Sequence, residues 1–247
     1  MEHRAASRPR DYVRVAGPDA EDFLQRMVSN DVTAAPCQAL LLTPKARVIA
    51  PLVVVRRGPE DFLLLTEHGL GEAVRSTLIR ARFAAKVEIE PEEHRSTIVF
   101  DENSGIPNHD YGEPAGELLD DSIEPTLSSD ELERMRIEAG TPGWGTEIDD
   151  RVLPAEAGLT ERAVSFTKGC YPGQEPIARL QHRGKVNRRL RLLEIDSASS
   201  GEEITYAGKT VGRVTSAIPG RALAYVRTEV PEDAELDVSG RTARLAG

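Results

Sequence analysis

Two hydrophobic rhythms alternate along the first hundred residues. Ala20, Phe23, Leu24, Met27 and Val28 follow the i, i+3, i+4, i+7, i+8 spacing of one buried helical face. Pro18 suits the first helical position, and Asn30-Asp31 ends the helix. Before it, residues 12–15 read as a short strand and the preceding residues as a basic, frayed start. Residues 38–43, 47–55 and 61–66 are rich in Leu and Val and predict three strands, with Pro51 making the second irregular or placing it at a sheet edge there. A second helix is predicted over 70–82, with Leu70, Ala73, Val74 and Leu78 inward, followed by strands at 86–90 and 97–100. Antiparallel strands mixed with two helices predict an α+β layer.

The rhythm disappears over 101–125, where prolines and glycines sit among many acids, and the stretch reads as a surface loop or linker. Ser128 then offers a capping box with Glu131, opening a helix that runs through Leu132, Met135 and Ala139 and stops at Gly140. Residues 141–167 are irregular, and a short helix is expected over 173–181. From 186 onward the pattern is short β segments at 190–195, 203–206, 210–216, 222–226 and 236–238, separated by turns such as Ala207-Gly208-Lys209. Close spacing of that kind predicts a small barrel or sandwich. The expected division is 1–186 and 187–247.

The 247 residues suffice for one large or two modest domains. Aromatics are only 4%, so the core must rest on Leu, Val, Ile and Ala. With 31 basic against 41 acidic residues the net charge is −10, which argues against general nucleic-acid binding, and direct DNA binding is not expected. A local reversal stands out: Arg179, Arg183, Lys185, Arg188, Arg189 and Arg191 fall within one short stretch. It reads either as an exposed strand or as a basic rim for an anionic tail, an RNA or an acidic partner. The two cysteines, Cys37 and Cys170, make no disulfide framework and fit a reducing compartment. The chain shows neither a signal sequence nor a membrane-length apolar run, so a cytoplasmic protein without membrane association is expected. His3, His68, His94, His109 and His182 are scattered, and no metal site is expected.

The densest chemistry lies at 166–179, Phe-Thr-Lys-Gly-Cys-Tyr-Pro-Gly-Gln-Glu-Pro-Ile-Ala-Arg. Cys170 sits in a Gly/Pro-rich bend before a helix start, with Lys168 two residues away. Helix N–H groups and an ammonium both favour thiolate, so Cys170 reads as a nucleophile or soft ligand, the alternative being a small packed residue.

This segment resembles the signature of the YgfZ family of folate-binding proteins, relatives of the glycine-cleavage T-proteins. The resemblance extends to 15–32, 41–48, Arg136-Ile-Glu-Ala-Gly140, Pro154-Ala-Glu-Ala-Gly-Leu159 and 212–216, and is weakest over 101–125. It implies a T-protein-like fold of two intertwined subdomains with a C-terminal β-barrel, and a tetrahydrofolate or one-carbon derivative in a central cavity. It further implies that Glu156 binds the pterin, with Arg136, Tyr171, Gln174, Glu175 and Arg179 building the pocket, while Cys170 and Lys168 carry the chemistry. Arg179, with Arg183, is expected to hold the folate tail. T-proteins carry an acidic pair where this chain reads Ala50-Pro51, and their Asn-Ala corresponds to Thr66-Glu67. Neither Ala50 nor Pro51 can accept a proton, so enzymatic aminomethyl transfer is in doubt while folate recognition survives. The implied role is support of iron–sulfur protein assembly or repair, with tRNA modification affected indirectly. Iron–sulfur proteins or assembly factors are the implied partners. The alternatives are a glycine-cleavage aminomethyltransferase and a non-catalytic RNA-binding or scaffold protein.

Overall fold

The computed structural model describes residues 4–100 and 105–246. Its first strands are β1 (Ala5–Ser7) and β2 (Arg10–Ala16), followed by helix α1 (Ala20–Met27) and a 3-10 turn at Val32–Ala34. Asp19 is the α1 N-cap, so Pro18 lies one residue outside the helix rather than at its first position. Next come β3 (Cys37–Leu42), β4 (Val48–Gly58), β5 (Asp61–Glu67), α2 (Gly71–Ala81), β6 (Glu88–Glu92) and β7 (Ser96–Val99). Antiparallel pairing gives a five-stranded sheet in the order β3-β4-β5-β2-β6.

Alternation along the strands sorts side chains between two environments. Ala39 and Leu41 join Phe23, Leu24, Val74 and Leu78 in the core beneath α1 and α2. Leu40 and Leu42 face the other way, against Ile148, Val152, Leu159 and Tyr171. Phe62 and Leu64 likewise enter the helix-side core, while Leu63 and Leu65 pack with Tyr12 on the opposite face. Pro51 is tolerated because β4 pairs with β5 only from Leu52 onward, so that end of β4 has β3 alone as a neighbour.

Residues 5–7, read as part of a frayed start, form a strand. Ala5, Ala6 and Ser7 pair with Val99, Ile98 and Thr97 of β7. The stretch read as a linker also contains strands, β8 (Ile106–Asn108) and β9 (Ala115–Leu119), and residues 101–104 of it lie outside the described residues. These complete a second sheet, β1-β7-β9-β8. Because β1 belongs to this sheet and β2 to the first, the two layers are interwoven.

α3 (Ser129–Glu138) opens with the predicted capping box, and Gly140 takes a positive φ just beyond its end. α4 (Thr160–Ala163) interrupts the stretch expected to be irregular, and α5 (Gln174–Arg183) follows it. β10 (Arg188–Ile195), β11 (Glu203–Tyr206), β12 (Lys209–Ile218), β13 (Gly220–Arg227), β14 (Glu235–Val238) and β15 (Arg241–Leu245) close a six-stranded barrel around Leu193, Ile204, Val214 and Leu236. The fold is α+β, as the pattern predicted, and its C-terminal β-barrel is the one the resemblance implied, where the pattern left barrel or sandwich open; β15 is the barrel strand the pattern did not single out.

Candidate functional site

A cavity of about 220 Å³ opens where the five-stranded sheet, the second sheet, α3 and the 141–163 segment meet. Gln38, Leu40, Pro51 and Leu52 form its sheet wall, Trp144 and Ile148 another. Four arginines enter it, Arg8, Arg10, Arg136 and Arg162, against the acids Glu67, Asp110 and Glu133.

Arg8 lies between β1 and β2, donating to Tyr111 Oη at 2.7 Å and to Glu67 at 2.8 Å. Its buried Nε has no partner among the described residues. Arg10 donates from Nη2 to Glu117 at 2.9 Å and lies 3.6 Å from Glu67. Burial works to raise the Glu117 pKa, but Arg10 and Ser96 outweigh it and hold the carboxyl below its usual range. Arg162 on α4 donates to Asp110 at 2.9 Å.

Arg136 is buried and held from several sides. It donates to Glu133 at 2.8 and 2.6 Å, to Glu147 at 3.0 Å and to the Thr141 carbonyl. Glu147 also accepts from Gly143 N at 2.9 Å, Thr146 Oγ1 at 2.7 Å and Ser216 Oγ at 2.7 Å. Burial works to raise its pKa, and the hydrogen bonds from Ser216 and Thr215, with Arg136, lower it further than burial raises it. Tyr225 Oη donates to the Glu147 carbonyl at 2.7 Å, so the wall bearing Trp144 is fastened to the barrel.

Of the residues expected at the cavity, Arg136 lines it. Cys170 does not: its thiol is exposed, outside the lining. Lys168 is not aimed at that thiol. Its Nζ donates to the carbonyls of Val28 at 2.9 Å and Asn30 at 2.6 Å and sits 5.5 Å from the Tyr171 ring centroid. Burial pushes the Lys168 ammonium down to about 8, opposed by Asp31 and Cys37. Tyr171 is buried in the core with Leu42 and Val48. Gln174, Glu175 and Arg179 ride on α5, outside the cavity lining, and the Arg183 side chain lies outside the described residues. Glu156 lines a different hollow, beside α5, and pairs with Arg188 at 3.2 Å. The motif around Cys170 therefore builds the support of a surface bend. Gly173, the α5 N-cap at φ +84°, shows why: an added Cβ would meet Thr43 O at 2.8 Å.

The cavity arginines other than Arg136, together with Asp110, Trp144 and Glu147, were missed in the sequence. Two signals were present: Arg8 and Arg10 share i, i+2 spacing, and Trp144 is the only tryptophan. Pro51, where an acid was looked for, does line the cavity; Glu67 supplies a carboxylate from the neighbouring strand.

The donor set fits a pteridine-type ligand. The cavity has room for on the order of seven waters, hence for a flat bicyclic ring. The unpartnered Arg8 Nε calls for an acceptor such as a ring carbonyl. Among the described residues no group of three or more His, Cys, Asp or Glu could hold a metal ion, and no helix is long and apolar enough to cross a membrane.

Residues 187–246 match the family model described as "CAF17, C-terminal beta-barrel domain". A crystal structure of the glycine cleavage system aminomethyltransferase T from Bartonella henselae superposes with a TM-score of 0.82 at 17% identity, covering 100% of this chain and 86% of that one. The chain thus has an aminomethyltransferase-like fold with a CAF17-type barrel. It is homologous to the proteins named YgfZ and IBA57. The Neurospora crassa "Iron-sulfur cluster assembly factor IBA57 homolog, mitochondrial" is 27% identical over 73% of this chain, which spans only 51% of that relative. The "tRNA-modifying protein YgfZ" of Pectobacterium atrosepticum is 24% identical over 78% of this chain and 69% of its own length. An uncharacterized protein of Haemophilus influenzae is 29% identical, covering 83% of this chain and 81% of its own.

Proposed function

We propose that this chain is a cytoplasmic folate-binding factor that supports assembly or repair of iron–sulfur proteins and, through them, tRNA modification. The relatives' names support the process, and the cavity supports the ligand. The observation that carries the ligand reading is the wall of Trp144 and four arginines, with the unpartnered Arg8 Nε among them. Trp144 and Leu52 offer apolar surface to a pteridine, Arg8 an unused donor, and Gln38 a neutral amide. Arg162 and Arg136 offer charge to carboxylates of a tail, though each is already paired with an acid. A bound reduced folate would supply one-carbon chemistry. Cys170, outside the cavity, is available to a client protein rather than to the pterin. We assign residues 1–186 to folate binding and 187–247 to the barrel.

One observation favours a second reading, aminomethyl transfer: Glu67 is a cavity carboxylate next to Pro51. Its Oε1 accepts from Arg8 and is approached by Arg10, and two neighbouring guanidinium groups make it a weaker candidate for a base.

Titration with tetrahydrofolate and methylenetetrahydrofolate tests the proposal, and Trp144, the single tryptophan, serves as the fluorescent reporter. Arg8→Met should weaken binding roughly tenfold, about 1.4 kcal/mol, while Glu156→Ala binds like wild type. If neither folate perturbs Trp144 or releases heat, the reading is wrong.

A further inference from the structure

Arg189 and Arg191 lie two positions apart on β10, on one face of the strand and about 6.8 Å apart along it. Lys185 precedes the strand and Arg227 ends its neighbour β13. These cations and Glu232 rim a hollow of about 250 Å³, floored by Val186, Val226, Val230 and Leu245. Two hydrogen bonds fix its frame: Thr228 donates from N to the Asn187 carbonyl at 3.1 Å and from Oγ1 to the Val186 carbonyl at 2.9 Å.

The hollow is anomalous in a chain of net −10. Four cations face one lining acid, Glu232, which pairs with Arg191 at 2.7 Å, while Arg227 only approaches the exposed Glu229 at 3.5 Å. Arg189 acts electrostatically on Glu232, but neither its side chain nor that of Lys185 makes a hydrogen bond or ion pair among the described residues.

We propose that this hollow binds a nucleotide phosphate, either as a free nucleotide or within an RNA strand. The phosphate engages Lys185, Arg189 and Arg227, and the nucleoside covers the valine-leucine floor. A phosphate carries up to about two charges and several acceptor oxygens, which suits convergent guanidinium and ammonium groups. A single carboxylate would occupy one arginine fork and leave the other cations unanswered. An acidic peptide supplies charge but no flat body for the apolar floor. None of these residues lines the central cavity, so the site stands apart from the folate reading.

The test is binding of AMP, inorganic pyrophosphate, a fluorescein-labelled single-stranded RNA and polyglutamate to the full chain. The comparison is with Lys185→Ala/Arg189→Ala, in which both altered side chains are exposed. The double variant should weaken AMP and RNA binding at least tenfold and leave folate titration unchanged. For RNA, the slope of log affinity against log salt should become shallower by about 0.7, the share of the one phosphate that is no longer neutralised. RNA binding far tighter than AMP assigns the site to a strand, and equal affinities assign it to a free nucleotide. Three results overturn the proposal: no binding of any phosphate probe, binding untouched by the double variant, or tighter binding of polyglutamate.

Discussion

Arg136 donates to Glu147 at 3.0 Å with both side chains withdrawn from water, joining α3 to the segment that carries Trp144. Stranding a buried charge typically costs about 3–5 kcal/mol, and Glu147→Ala, which leaves Arg136 only the half-exposed Glu133 as an acidic partner, approaches the lower end of that range. Glu147→Ala should lose stability on that scale in urea denaturation, and without the hydrogen bond from Ser216 the barrel should loosen as well. Glu138→Ala, whose partner Arg134 is exposed, should change stability by less than about 1 kcal/mol. Comparable midpoints for the two variants would refute the buried link.

His94 gives the fold a pH signature. Burial works to lower its pKa, but hydrogen bonds to Asp120 and Glu92 raise it above the usual histidine range. The Glu92 carboxyl is held down at about 2 by hydrogen bonding from Arg57 and, against burial, by His94. A raised histidine pKa contributes stability that is fully present below the unfolded value and lost as pH rises through the folded one. The stability difference between wild type and His94→Gln should therefore shrink as pH rises from about 6 to 9. Under acid, the Glu92 contribution disappears as pH falls below the ordinary glutamate value toward about 2. A difference that grows with alkalinity would contradict this assignment.

The two thiols should separate in labelling experiments. Burial pushes the Cys37 thiol up to about 11, against the opposing influence of Lys168, whereas Cys170 is exposed. Iodoacetamide at mildly alkaline pH should modify Cys170 first and Cys37 only on unfolding. Lys168→Ala should leave the Cys170 rate unchanged, since the ammonium serves Val28 and Asn30. It should cost about 1.5–3 kcal/mol, because the charged hydrogen bonds to those carbonyls disappear. A several-fold fall in the Cys170 rate would restore the role that the sequence assigned to Lys168.

Gly173→Ala should be costly for two reasons at once. The positive φ costs roughly 1–3 kcal/mol for a residue with a side chain, and the new methyl collides with the Thr43 carbonyl and Ala46. Gly145→Ala, also at positive φ but with nothing within 4 Å, isolates the first contribution. The melting temperature of the Gly173 variant should fall further; equal shifts would mean the bend yields without strain.

The sequence disclosed what local periodicity records. The presence of β3 and β5, the Ser128 capping box and most barrel strands follow from composition, spacing and turn chemistry, whereas the sorting of the β3 and β5 leucines between two faces does not. β1 escaped because Ala-Ala-Ser is too short for a pattern, and β8 and β9 because their order comes from pairing rather than propensity. The cavity was illegible for a related reason: Arg8, Pro51, Asp110, Trp144 and Arg162 converge only after tertiary folding. The Cys170 motif was conspicuous for the opposite reason. Lys168, Tyr171 and Gly173 are specialised residues concentrated within six positions, and the structure uses them to brace a bend.

The pairing of Ala5–Ser7 with Thr97–Val99 has a consequence for biogenesis. The arginine at position 8 cannot take its place until a partner strand some ninety residues later has been made. The remaining walls arrive later still, with the segments around Trp144 and Arg162. As the chain leaves the ribosome, a ligand-sized chamber thus cannot exist before residue 163 has emerged, and no nascent fragment lacking the 141–163 stretch can complete one.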